Sequence, residues 1–123
     1  MGQATPYKPA ALVVEDDEMQ REILALLLEE SDMRVIECES AEAAVAVLDQ
    51  MGTALSLVFT DINLAGDMTG IELAHIAKRR FPELRVIVTS GGIYNPRLPD
   101  GATFMPKPWL PLDVLREAER AHA

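Results

Sequence analysis

The chain carries a single cysteine, Cys38, so no internal disulfide can form. The residue reads as a small apolar side chain in or beside a strand, suited to a reducing compartment. Nowhere does an apolar run approach the roughly 18 residues that a membrane span requires. The opening stretch Met1-Gly2-Gln3-Ala4-Thr5-Pro6 lacks the basic-then-apolar order of a secretory signal, and Pro6 stands where a myristoylation site wants Ser or Thr. A cytoplasmic location is the expectation. Basic blocks and basic-aromatic stripes are also missing. With 11 Lys and Arg against 20 Asp and Glu, the formal net charge is -9, a field that repels nucleic acid and anionic membranes and favours cations and basic partner patches. No repeat or low-complexity segment occurs, and 123 residues leave no room for a second catalytic or DNA-binding domain beside one core of ordinary size.

What the chain does have is 49% hydrophobic residues, arranged as short apolar runs alternating with stretches of helical period. Residues 1–9, with Pro6 and Pro9, read as a flexible leader to one domain over residues 10–121. Ala10 to Val14 is a strand run, and Glu18 to Glu30 places Met19, Ile23, Leu26 and Leu27 on one helical face, the candidate core face. Met33 to Ile36 is a second strand, and Ala41 to Gln50, with Ala44, Val45 and Leu48 in phase, a second helix. Leu55 to Phe59 is a third strand. A helix from about Thr69 to Arg80 turns Ile71, Leu73, Ala74 and Ala77 inward and is cut off by Pro82. Arg85 to Thr89 and Ala102 to Met105 are the last two strands. Pro111 opens a helix to about Arg120, where a first turn tolerates proline. Strands alternating with helices predict an α/β fold with a parallel sheet wrapped on both faces.

In such a fold, ligands sit outside the carboxyl ends of the strands, so the polar residues at those ends carry the information. The stretch Val58-Phe59-Thr60-Asp61-Ile62-Asn63 delivers an acid, Asp61, at the tip of a buried strand. Strand one ends in Glu15-Asp16, strand four in Ser90 and strand five in Lys107. Crowded carboxylates repel and raise one another's pKa unless a cation bridges them, and a hard, oxygen-seeking ion such as Mg²⁺ is the natural bridge. A carboxylate beside that ion can attack a phosphoryl group to form an acyl phosphate, with Lys107 neutralising the far side and Ser90 hydrogen-bonding a phosphoryl oxygen. Thr89 and Ser90 point to opposite faces by strand alternation. Asp17 reads as a helix cap, His75 as a solvated helix position, His122 as part of a fraying tail, and Trp109 with the methionines as packing.

Val13-Val14-Glu15-Asp16, Thr60-Asp61, Thr89-Ser90-Gly91 and Lys107-Pro108 occur in an order that resembles the receiver domain of bacterial two-component response regulators, over about residues 10 to 121. The resemblance implies a flavodoxin-like, doubly wound five-stranded sheet. It implies that Asp61 is phosphorylated by a histidine kinase or phosphotransfer protein, and that Glu15, Asp16 and Asp61, with the Asn63 backbone carbonyl, hold Mg²⁺. Ser90 matches the switch hydroxyl, Phe104 the rotating aromatic, and Pro108 the cis proline after the site lysine Lys107. A protein of this kind is a self-catalysed phosphoryl acceptor, not an enzyme acting on a separate substrate. With no output domain in the chain, its signal leaves through a downstream protein, a homodimer or onward phosphate transfer.

Two departures stand out. The acidic pair is Glu-Asp where Asp-Asp is common. The stretch from Gly91 to Gly101, where such proteins carry their fourth helix, holds three glycines (Gly91, Gly92, Gly101) and two prolines (Pro96, Pro99), so that helix is expected to be short or irregular. Other readings are a phosphate shuttle, a phosphorylation-independent adaptor, and a small Mg²⁺-dependent phosphohydrolase. The last would need a second acid two residues after Asp61, where this chain has Asn63.

Overall fold

The computed structural model describes residues 8–92 and 96–122. Five strands, β1 (Ala10–Val14), β2 (Arg34–Cys38), β3 (Leu55–Asp61), β4 (Arg85–Ser90) and β5 (Thr103–Pro106), form one parallel sheet in the order β2-β1-β3-β4-β5. Four helices cover it: α1 (Glu18–Glu30), α2 (Ala41–Met51), α3 (Gly70–Arg80) and α4 (Pro111–His122). Alternate residues of each inner strand face opposite layers. Leu12, Val14, Val58, Val86 and Val88 pack with α2 and α3, while Ala11, Val13, Leu57, Phe59 and Ile87 pack with α1 and α4. A strand covered on both faces needs an apolar side chain at nearly every position, which is why β1 and the body of β3 are unbroken apolar runs. All five residues of β1 are fully buried. The edge strand β2 exposes Arg34 and Glu37, charges that discourage a further strand from pairing there.

The helices begin where the sequence supplies caps. Asp17 accepts the Gln20 backbone N–H at 2.9 Å and Ser40 that of Ala43 at 3.1 Å. Thr69 and Glu72 cap each other's backbone at the start of α3, satisfying two amides the first turn leaves unpaired. Gly70 has a further reason to be glycine. A Cβ there would lie 1.8 Å from the Asp61 carbonyl oxygen, so α3 can start this close to the tip of β3 only without a side chain.

Several element ends differ from the sequence reading. β2 runs two residues past Ile36, to Cys38, and β3 two past Phe59, so that Asp61 is itself the last strand residue. The larger correction concerns α1. Leu24, Ala25 and Leu28 are the buried residues, while Met19 (72% exposed), Ile23 (43%) and Leu26 (61%) face outward. The run Ile23-Leu24-Ala25-Leu26-Leu27-Leu28 is apolar all round, so periodicity alone cannot choose its inner face. Arg21 chooses it: its Nη1 donates to the Glu15 carbonyl at 2.8 Å and its Nε pairs with Glu37 at 3.3 Å, and Leu24, Ala25 and Leu28 follow it inward at helical spacing. His122 is no fraying tail either. It is the last residue of α4, with Nε2 2.6 Å from the Ser31 carbonyl oxygen at the end of α1.

The leader assignment falls mostly on residues 1–7, outside the described residues. Lys8 and Pro9 are described, and the Pro9 carbonyl accepts the Arg34 N–H at 2.9 Å, beginning the β1–β2 pairing. Within Gly91 to Gly101, residues 93–95 also lie outside the described set, and the described remainder contains no helix. Leu98 and Ala102 pack onto the α3 side of the core, and His75, half-buried on α3, lies 3.1 Å from the Arg97 carbonyl oxygen.

Strand order reverses between β1 and β3, the place where a doubly wound sheet leaves a crevice at its carboxyl edge. Glu15 follows β1 and Asp61 ends β3, so the topology sets both beside that crevice.

Candidate functional site

At the carboxyl edge, the Lys107 ammonium lies between two buried acids. Its Nζ donates to Glu15 Oε1 at 2.9 Å and to Asp61 Oδ2 at 2.6 Å. Glu15 is 2% exposed and Asp61 7%, little enough contact with water to make each charge depend on its partners. Lys107 reaches them because its backbone N–H bonds the Ser90 carbonyl at 2.9 Å, continuing the β4–β5 pairing past the end of β5. The Lys107–Pro108 peptide is cis.

Each carboxylate has a second partner. Glu15 Oε2 accepts the Asp17 N–H at 3.1 Å, and Asp61 Oδ1 the Asn63 N–H at 3.1 Å. Burial pushes the Glu15 carboxyl up, and the nearby Asp61 charge adds to that against the hydrogen bonds from Lys107 and Asp17. Burial alone would lower Lys107; its hydrogen bonds to Asp61 and Glu15, with their charges, outweigh that and leave it raised. The ammonium is therefore charged at neutral pH.

A third acceptor on Lys107 is absent from the sequence reading. Gln20, in the first turn of α1, accepts from Nζ through Oε1 at 2.6 Å. A neutral amide one turn into a helix resembles any surface glutamine in sequence; only its spacing of five residues from Glu15 and its place above the strand tips could have marked it.

The other expected site residues are arranged less tightly. Asp16 and Asn63 are exposed, and Asn63 meets the site through its backbone amide. Ser90 is buried, and its Oγ accepts the Gly92 N–H at 3.3 Å. By register, Ser90 shares a sheet face with Val88 and its partner Phe104, which packs half-buried on the α3 side, whereas Thr89 pairs with Asp61 on the α1 side. The buried Thr89 hydroxyl has no partner among the described residues. Trp109 packs edge-on to Phe59, with ring centroids 6.4 Å apart. With Gln20, Gly91, Lys107 and Pro108 it lines a cavity of about 420 Å³ beside the ammonium.

The loop that follows Asp61 is fastened from α2. Glu42 Oε2 accepts the N–H groups of Asp67 (2.9 Å) and Met68 (3.1 Å). Gly66 turns there at φ +95°, where a Cβ would lie 2.7 Å from Glu42 Oε1. Hydrogen bonds from its own amide and from Asp67 and Met68 hold the Glu42 carboxyl below its ordinary value.

Among the described residues no three His, Cys, Asp or Glu side chains are grouped to hold a metal ion; an ammonium separates Glu15 from Asp61. The donors still suit a hard divalent cation in kind. They are all oxygen, and Glu15 is buried beside a like charge that such a cation would relieve. Among the described residues no helix is long and apolar enough to cross a membrane.

An acid-lysine cluster thus lies at the switch point of a 2-1-3-4-5 sheet, a fold shared with known proteins. The model of the response regulator receiver domain matches residues 11–98. The two-component response regulator ORR5 of Oryza sativa subsp. japonica is 31% identical over 119 residues, covering 91% of this chain and 87% of that protein. The receiver domain of the hybrid histidine kinase CckA superposes with a TM-score of 0.79 at 24% identity over 93% of this chain and 99% of the other. A response regulator receiver protein from Sinorhizobium medicae WSM419 superposes with a TM-score of 0.83 at 19% identity, covering 93% and 94%. The chain belongs to the response regulator receiver domain family. It spans only 19% of the matched Arabidopsis thaliana regulator ARR21 and 16% of Pseudomonas aeruginosa FleR.

Proposed function

We propose that the protein accepts a phosphoryl group on Asp61 from a histidine kinase or a histidine phosphotransfer protein and passes the signal on by a change of conformation. The observation that carries this reading is the Lys107 ammonium held between the Asp61 and Glu15 carboxylates at the strand tips, in a chain of the receiver family. An Asp61 carboxylate oxygen forms a bond to phosphorus while the bond from phosphorus to the donor's histidine nitrogen breaks, its electron pair leaving with the nitrogen. Lys107 supplies positive charge to the phosphoryl oxygens, and the Ser90 hydroxyl turns from Gly92 toward them. Phe104, on the Ser90 face of the sheet, then repacks against α3 and the segment before β5. Mg²⁺ held by Glu15, Asp16, Asp61 and the Asn63 carbonyl would neutralise charge on the transferring oxygens.

Acetyl phosphate serves as a small donor, releasing acetate in place of the histidine. With Mg²⁺ it is expected to add one phosphoryl group at Asp61, detected by intact mass and by reductive trapping, and Asp61→Asn abolishes the product. Labelling that persists in Asp61→Asn and maps to Asp67 would overturn the assignment, and no labelling at all would favour a phosphorylation-independent adaptor.

A further inference from the structure

An ammonium has three protons, and here three acceptors take them: Glu15 Oε1 at 2.9 Å, Asp61 Oδ2 at 2.6 Å and Gln20 Oε1 at 2.6 Å. The first two belong to residues the proposed reaction uses. The third does not. We propose that Gln20 is a positioning residue, a neutral anchor that keeps Lys107 aimed at the reacting phosphoryl group while its two carboxylate partners are occupied elsewhere. The proposal rests on the reading of Asp61 as the acceptor.

When Asp61 becomes phosphorylated, the negative charge moves from its carboxylate to the phosphoryl oxygens, and a divalent cation held by Glu15 would compete with the lysine for that carboxylate. Both acceptors weaken at the moment the ammonium is needed. A lysine on a flexible four-carbon stem would then be free to swing into the neighbouring cavity of about 420 Å³ that it lines with Gly91, Pro108 and Trp109, and re-ordering it would cost entropy at each turnover. The Gln20 oxygen has no charge to surrender, and its position is fixed from below. Gln20 donates its backbone N–H to the capping carboxylate of Asp17 at 2.9 Å, and the next residue, Arg21, binds the Glu15 carbonyl at 2.8 Å. The amide oxygen must be the atom on Lys107, since an ammonium offers only protons. One proton thus stays on Gln20 while the others are released toward the phosphoryl oxygens, which keeps the approach geometry.

Three forms of the full chain test this: the unmodified protein, Gln20→Met, which keeps the volume and removes the acceptor, and Gln20→Glu, which keeps an oxygen at the same reach. The rate constant of phosphorylation by acetyl phosphate is expected to fall roughly tenfold in Gln20→Met, as for loss of a hydrogen bond to a charged group. The Mg²⁺ concentration for half-maximal rate and the thermal midpoint should stay put, and Gln20→Glu should retain most of the rate. A second readout needs no turnover: the ¹⁵N-ammonium signal of Lys107 is expected to exchange slowly in the unmodified protein, to broaden in Gln20→Met and to persist in Gln20→Glu. An unaltered ammonium signal in Gln20→Met overturns the proposal, as does an unaltered rate, or a rate loss matched by a fall in thermal midpoint or a rise in the Mg²⁺ requirement. If the unmodified protein takes up no phosphoryl group, the reading of Asp61 fails instead, and the ammonium signal still decides whether Gln20 anchors Lys107.

Discussion

Lys107 is the residue on which the site's electrostatics turn. Glu15 is almost fully buried with Lys107 as its cationic partner, so removing the ammonium leaves an unpaired acid beside another. Lys107→Met is expected to destabilise the protein by about 3 kcal/mol, the usual cost of breaking a largely buried pair from one side. In a Glu15→Gln background the same substitution should cost less, because only the Asp61 carboxylate then loses its partner. Urea unfolding of the four proteins measures both; equal losses in the two backgrounds would mean that Lys107 stabilises by packing alone. That Glu15, Asp61 and Lys107 meet is legible in the sequence because parallel strands bring all their carboxyl ends to one edge, so an acid or lysine just past each apolar run has few other places to go. Gln20 is illegible for the opposite reason: its amide is uncharged, and the rotation of α1 that aims it is set by Arg21, which reaches across to Glu15 and Glu37.

At the scale of elements, the loop between β3 and α3 is held at both ends. Gly70 lets α3 start against the Asp61 carbonyl, and Glu42 on α2 gathers the Asp67 and Met68 amides. Because the Glu42 pKa is lowered on folding from an ordinary 4.5, its contribution to stability is fully present above that value and is lost as pH falls through the depressed folded value. Glu42→Ala should therefore lower the thermal midpoint at about pH 7, and the gap to the unmodified protein should close as pH drops below 4.5. Thermal unfolding across a pH series checks this, and a gap independent of pH would assign the effect to something other than the carboxylate. Strands and helices could be read from the apolar pattern, and a cap such as Asp17 and a breaker such as Pro82 act locally enough to mark ends. The inward face of α1 could not, since six consecutive apolar residues leave the choice to tertiary contacts.

For the molecule as a whole, an acidic chain with two carboxylates packed at one edge is set up to gain from a divalent cation. Any ligand that binds only the folded state adds stability by mass action, about 2.7 kcal/mol at a hundredfold excess over its dissociation constant. Saturating Mg²⁺ is thus expected to raise the thermal midpoint by several degrees, and Glu15→Gln combined with Asp16→Asn should remove most of that gain. An absent shift in the unmodified protein would count against the metal site at this edge.

Trp109 is the only tryptophan in the chain, and it stands on the wall that Lys107 shares, edge-on to Phe59 beneath. Indole emission is sensitive to nearby charge and to solvent access, so the protein carries an optical probe within its own site. Rearrangement of the ammonium or of the cavity it lines would be written into the colour and intensity of that emission in real time, without any attached dye.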